Sequence, residues 1–303
     1  MPDELYCDEH AFKNYEGVED HEATLKEMTT HLDKGHLTAF NSYNELWEYV
    51  GGKPILSKLG LIVKTRNGVE SARIILDTKQ SDVERITAKT QRVILPRIFD
   101  AILRMLFLLS LCDGAEKQVS QPKNVVSVKA FVLDFSVASW QIPIHPLERR
   151  FFCGSTKIGG QRKYIAFNRV AQGSANGPNL WGRVAALIMR LTQALFDPSV
   201  LNLLCYVDDP IAAMRGTDED RMLYAAVMIL VWEAVGFGLS YHKGQMEDSV
   251  TWIGATLTAD AGGVRAKIKQ SIIDDICGDL TRMIAQNVVS KKKLHSIISK
   301  LAQ

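Results

Sequence analysis

The sequence predicts an α+β fold, an antiparallel ferredoxin-like sheet with helices on one face, joined to a second β-rich region. Three observations predict it. Through the middle of the chain the pattern runs strand, helix, strand-turn-strand, helix, strand, which such a sheet accommodates. The 303 residues are 47% apolar and 23% charged, enough for one large domain or two to three smaller ones without disulfides. Upstream, "LGLIVKTRNGVESARIILDTK" places apolar-rich arms around Asn67-Gly68, a strong hairpin signal.

Residues 1–35 are acidic and weakly periodic, an extension with a helix expected over Glu22–Leu32 that Gly35 is placed to end. His31 and His36 read as two surface histidines, because their spacing is not the i, i+4 of one helical face. Beyond the Asn67-Gly68 hairpin, Leu95–Cys112 reads as a buried helix with Pro96 in its first turn. Val128–Phe135 is a nearly continuous β-type run, expected to be covered on both faces. Its end carries one carboxylate, Asp134. In "AQGSANGPNLWGRVAALIMRLTQALF" a helix opens at Gly177-Pro178, with Leu180, Val184, Leu187, Ile188, Leu191 and Leu195 on one face. In "LLCYVDDPI" two short apolar runs flank Asp208 and Asp209, which places the acids at a tight hairpin turn. Pro210 suits the start of an edge-type strand. Thr217 and Asp220 form a capping-box-like start to a helix that stops near Gly236. "VTWIGATL" and "GGVRAKI" make a second hairpin turning at Asp260–Gly263, and the chain closes on a helical, Lys-rich segment.

The net charge of +2 conceals an asymmetry. Residues 1–50 hold twelve acids and three Lys or Arg, whereas residues 149–196 hold no acid and eight basic residues: Arg149, Arg150, Lys157, Arg162, Lys163, Arg169, Arg183 and Arg190. Such a tract suits a polyanion partner, or else a solvated face. The five cysteines are scattered without a C-x-x-C pair, which argues against a zinc site and fits a reducing compartment. No signal peptide opens the chain. The longest apolar run, Ala101–Cys112, is broken by Arg104 and falls short of the roughly 20 residues a bilayer span needs. The expectation is an intracellular protein, cytoplasmic or nuclear, with no membrane partner.

Charges are costly to bury, so two adjacent acids inside an apolar run need a reason. A turn exposes them while the flanking strands stay buried. Hard oxygen ligands suit Mg2+, which takes one or two carboxylates plus substrate phosphates. Asp134 ends a different strand 74 residues earlier; if the two strands are neighbours, three acids converge. Two metals about 3.5–4 Å apart could then activate a hydroxyl and stabilise the leaving oxygen of an in-line displacement. The plainer alternative is an Asp-Asp turn pair, since Asp is common in turns.

"YVDD" between apolar arms, preceded by "VLDFSVASWQIPIHP" and "AQGSANGP", resembles the palm of a reverse transcriptase of the LTR retrotransposon and retrovirus type. The resemblance runs in order from about Gly35 to Leu301. It implies a polymerase right-hand fold: an acidic extension over 1–35, fingers over 36–120, palm over 121–262 with a basic insertion at about 145–175, and the start of a truncated thumb over 263–303. It implies RNA-directed DNA polymerase activity with two Mg2+ ions (Mn2+ as an alternative), an RNA or DNA template, a DNA primer and deoxynucleoside triphosphates. Asp134 resembles the first palm aspartate, Asp208 the second metal ligand and Asp209 its less constrained neighbour. Gln172 and Gly173 resemble the pair that borders the incoming nucleotide. Lys64 and Arg73, on the hairpin arms, resemble the residues that clamp the triphosphate, a task for a point-charge Lys and a forked Arg. Arg73 precedes Asp77 by four residues, as in the family's "R…D" strand. Lys243 resembles the lysine tied to protonation of departing pyrophosphate, and Trp252-Ile253-Gly254 the hairpin that grips the primer end. Taken singly, Lys64 and Arg73 also read as solvated hairpin charges and Trp252 as plain core.

Two departures stand out. Five residues after the first palm aspartate the family has Tyr or Phe, whose ring blocks a ribose 2′-hydroxyl; here it is Ser139, followed by Trp140. Nothing in the chain resembles a ribonuclease H, integrase or protease domain, so a polyprotein fragment is expected. The intact acids favour a polymerase; Ser139 and the short thumb favour a catalytically inactive, nucleic-acid-binding retroelement relic. An RNA-dependent RNA polymerase fits less well, because Val207 stands where that class typically has Gly.

Overall fold

The computed structural model describes residues 5, 12–19, 21–66, 69–88, 93–112, 126–174, 176–260, 262–286 and 288–301. In chain order its elements are α1 (Glu22–Asp33), β1 (Leu37–Phe40), α2 (Tyr43–Val50), β2 (Lys58–Arg66), β3 (Val69–Asp77), α3 (Val83–Ile86), α4 (Ile98–Ser110), β4 (Ser127–Val132), β5 (Cys153–Ile158), β6 (Gln161–Phe167), α5 (Gly177–Gln193), β7 (Leu201–Tyr206), β8 (Asp209–Gly216), α6 (Asp218–Ala234), β9 (Ser249–Trp252), β10 (Ala255–Asp260), β11 (Gly263–Ile268), α7 (Gln270–Ile284) and α8 (Lys291–Leu301). The paired strands of its sheets run antiparallel. The chain divides into two compact units, Met1–Val93 with Val137–Arg183, and Ile94–Ser136 with Val184–Gln303.

The first unit holds the sheet β1-β6-β5 and the hairpin β2-β3. The hairpin runs in unbroken register from Lys58↔Asp77 to Arg66↔Val69; the Asn67-Gly68 turn lies outside the described residues. Met28 of α1 enters a core with Leu59, Ile74, Leu76, Trp140 and Phe167. His31 joins it, and the expected surface histidine is instead 5% exposed. Its ring stacks on Trp140 with centroids 3.9 Å apart. Gly35, at φ +66, turns the chain back, so His36 meets His31 despite the non-helical spacing. Their Nδ1 atoms lie 2.9 Å apart, so one ring donates and the other accepts.

The second unit is built on the sheet β4-β8-β7, with β9-β10-β11 beside it. Its core joins Ala101, Met105 and Leu108 of α4 to Val128, Ala130, Val132, Ile211, Ala213, Val250, Trp252 and Leu257. Burial of one such large apolar side chain contributes about 1.5–3 kcal/mol. Five expectations change here. Pro96 precedes α4 rather than lying in its first turn, and only one face of α4 is buried: Phe99 and Leu103 are exposed. The strand expected over Val128–Phe135 is Ser127–Val132. β8 is the central strand, not an edge. Pro210 accepts a bond from the Leu133 amide but has no amide hydrogen to return one, so β4 leaves the ladder after Val132↔Ile211. Lastly, Leu187, Leu191 and Leu195 of the expected α5 face are exposed. Burial keeps Ile188 of that face and adds Trp181, Ala185, Met189 and Thr192, a stripe turned by about one residue. The Thr192 hydroxyl accepts the indole N–H of Trp232 at 2.9 Å, which fixes that rotation.

The helix α6 starts as the sequence expects, with Thr217 and Asp220 in a reciprocal capping box. It ends at Ala234, before Gly236 at φ +85. The hairpin β10-β11 closes on Asp260↔Gly263. Among the described residues no helix is long and apolar enough to cross a membrane.

Candidate active site

Three acids meet in the second unit. Val207 and Asp208 form the two-residue turn between β7 and β8, closed by the pair Tyr206↔Asp209. Val207 sits at φ +56, in the left-handed region that β-branched residues avoid. A bond from the Cys205 thiol to the Val207 carbonyl (3.3 Å) braces it. Asp134 lies two residues past β4, where the chain has been released by Pro210. The Phe135 amide donates to the Asp208 carbonyl at 2.9 Å, and the Ser240 amide to the Asp134 carbonyl at 2.8 Å. The backbone at Asp134 is thus stitched to the turn on one side and to residue 240 on the other.

Asp134, Asp208 and Asp209 each present a carboxylate oxygen within 4.8 Å of the others. Among the described residues this is the one group of three or more potential metal ligands. Asp134 is buried, while the other two are partly exposed. Burial, a hydrogen bond with Asp134 and the charges of Asp208 and Asp134 push Asp209 up to about 7. Carboxylates crowded this closely cannot all ionise without a cation. Lys243 supplies one: its ammonium pairs with Asp134 Oδ2. It stands on a short 3-10 turn, Tyr241–Lys243. A set of hard oxygen donors under mutual repulsion fits a divalent ion such as Mg2+.

Trp252-Ile253-Gly254 adjoins the acids. Ile253 at φ +38 and Gly254 at φ +91 form the two-residue turn between β9 and β10. Trp252 is 1% exposed, and its indole N–H donates to the Asp209 carbonyl at 2.9 Å. A cavity of about 400 Å3 opens beside Asp209, lined by Leu95, Pro96, Arg97, Tyr206, Ile253 and Gly254. Tyr206 and Arg97 line this cavity with no role expected from the sequence. Tyr206 was legible as the first letter of "YVDD", whereas Arg97 carried no signal beyond its place after Pro96.

The remaining candidates belong to the first unit. Ile62↔Arg73 and Lys64↔Ser71 are cross-strand pairs, so Lys64 and Arg73 stand on one face of the β2-β3 hairpin as diagonal neighbours. Ile75 shares that face and meets the loop that carries Gln172 and Gly173. The Leu76 amide donates to the Gln172 carbonyl at 2.9 Å. A Cβ on Gly173, at φ +94, would come within 2.5 Å of Ile75 Cγ2 and 2.6 Å of the Leu76 carbonyl oxygen. Only glycine allows that approach. Ser139 is half-buried on the 3-10 turn Ala138–Gln141, which follows Val137 at φ +44.

A family model described as "Reverse transcriptase (RNA-dependent DNA polymerase)" matches residues 62–257, a span that contains every candidate above. The fold resembles solved structures of a foamy viral protease-reverse transcriptase. In complex with dsDNA the TM-score is 0.61 at 16% identity, covering 99% of this chain and 51% of that one. A second structure, the dRH form with ds DNA, scores 0.56 at 16% identity over 92% and 40% of the two chains. With RNA/DNA hybrid the values are 0.52, 18%, 90% and 29%. The chain therefore spans about half or less of each of those proteins. No curated protein matches it.

Proposed function

The chain belongs to the reverse transcriptase (RNA-dependent DNA polymerase) family, and from that premise we propose that it extends a DNA primer on an RNA or DNA template by metal-dependent nucleotidyl transfer. The observation that carries this reading is the convergence of Asp134, Asp208 and Asp209, with carboxylate oxygens within 4.8 Å of one another. Asp134, Asp208 and Asp209 would hold a pair of Mg2+ ions there, and the metal would supply activation of a primer 3′-hydroxyl and stabilisation of the leaving oxygen. Asp134 and Asp208 are the ligands in this assignment, and Asp209 the third oxygen donor. Lys243, already paired with Asp134, is the candidate proton donor to departing pyrophosphate. Lys64 and Arg73 share a hairpin face suited to a triphosphate, one as a point charge and one as a fork. Gln172 and Gly173, set against Ile75 of that face, border the same nucleotide. Ile253 and Gly254 seat the primer end. In domain terms the fingers fall over 36–120 with the basic insertion near 145–175, the palm over 121–262, and the thumb begins at 263.

The test is extension of a DNA primer on an RNA template with Mg2+, comparing the wild type with Asp208→Asn. Templated extension that the substitution abolishes supports the assignment; equal product from both proteins sinks it. A second reading, a non-catalytic nucleic-acid-binding relic, draws on Ser139 at the position where the family has a ring. It predicts tight primer-template binding with no extension by the wild type.

A further inference from the structure

The side chain of Trp252 has no surface with which to touch a primer, being 1% exposed. Its one polar atom is committed elsewhere, since Nε1–H donates to the Asp209 main-chain carbonyl at 2.9 Å. The ring also meets Tyr206, the residue paired with Asp209 across the turn, edge-on at 6.5 Å and 87°. Both strand residues that close the acidic turn are therefore held by one indole from the neighbouring sheet. This matters because the turn is held against two opposing tendencies. Val207 is at φ +56, a costly conformation for a β-branched residue. The Asp209 carboxylate is also crowded by those of Asp134 and Asp208, with oxygens within 4.8 Å of one another.

We propose that Trp252 is a positioning residue for the acidic site. Its N–H···O=C bond holds Asp209 at the register where its carboxylate can join Asp134 and Asp208 around a divalent ion. The same bond ties the Ile253-Gly254 turn, which lines the cavity beside Asp209, to the acids. The hairpin and the catalytic turn are then one mechanical piece rather than two adjacent ones. The inference rests on the metal reading of the acids given above, and it moves Trp252 from the primer surface to the support of the site.

The test replaces the donor and keeps the shape. Trp252→Phe removes the N–H, and benzothienylalanine incorporated at position 252 removes it at constant ring size. Mn2+ binding is measured by electron paramagnetic resonance on the full chain, alongside the melting temperature, with Asp208→Asn as a reference. Loss of one hydrogen bond predicts Mn2+ binding about fivefold weaker in the benzothienylalanine protein, with a melting temperature close to that of the wild type. Trp252→Phe should weaken Mn2+ binding at least as much. If the benzothienylalanine protein binds Mn2+ as the wild type does, Trp252 is core only and the inference falls alone. If the wild type and Asp208→Asn bind Mn2+ equally, the metal reading falls and takes the inference with it.

Discussion

At His31, burial sets a pH dependence. Burial first, and then the charges of His36 and Lys34, lower this histidine from its ordinary value to about 4. A base whose folded value is depressed stabilises the fold above its unfolded value of about 6.5, and that stability is lost as pH falls toward 4. The protein should lose stability to urea between pH 6.5 and 4, and His31→Phe, which keeps a ring against Trp140, should lose less over the same range. Parallel curves for the two proteins would show that His31 does not carry the effect. At Ser139, half-buried on its 3-10 turn, a small side chain replaces a ring. Competition between dNTP and rNTP in primer extension should show weak sugar discrimination, raised about tenfold or more in Ser139→Tyr by the clash a ring introduces. Strong dNTP preference in the wild type that survives Ser139→Ala would contradict this. Single residues were only partly legible in the sequence. The acids and Gly173 announce themselves by motif, whereas the burial of His31 depends on Trp140, more than a hundred positions away.

Among the elements, the β2-β3, β7-β8 and β10-β11 hairpins and the capping box of α6 followed from local signals, because turns and caps are made by neighbours in sequence, whereas the run expected as one arm, "VTWIGATL", is broken into β9 and β10 by the Ile253-Gly254 turn. Helix faces did not. The leucines of α5 define an apolar stripe, yet the buried stripe is the one holding Trp181 and the Thr192 hydroxyl that Trp232 reaches. The central position of β8 was hidden for a similar reason. A proline beside the turn reads as an edge signal, while here its missing amide ends the β4 ladder and frees Asp134. The contact between the Gln172-Gly173 loop and β3 gives the prediction at this scale. Gly173→Ala must move a Cβ 2.5 Å from Ile75 Cγ2 at a positive φ, so it should destabilise the first unit by about 1–3 kcal/mol. Chemical denaturation measures it. A change within about 0.5 kcal/mol, the range of an ordinary surface substitution, would mean that the loop is not held against the hairpin.

For the whole molecule, the charge asymmetry carries the prediction. The acid-free tract 149–196 includes Arg149, set over the Tyr49 ring with its guanidinium bonded to the hydroxyl, and Lys163, bonded to Asn41. If these cations meet phosphates, primer-template affinity should fall by about tenfold or more between roughly 50 and 200 mM salt, as counterion release requires. A flat affinity over that range, measured by fluorescence anisotropy, would exclude the tract from binding. The sequence by itself determined the fold class, the order of motifs and the identity of the three acids, because these depend on residue type and local spacing. The tertiary structure alone decided which faces are buried, that the acids stand within 4.8 Å of one another, and that Trp252 holds the Asp209 carbonyl. Those are contacts between segments distant in sequence, and pairing and burial across such distances are set by packing, which no local pattern encodes.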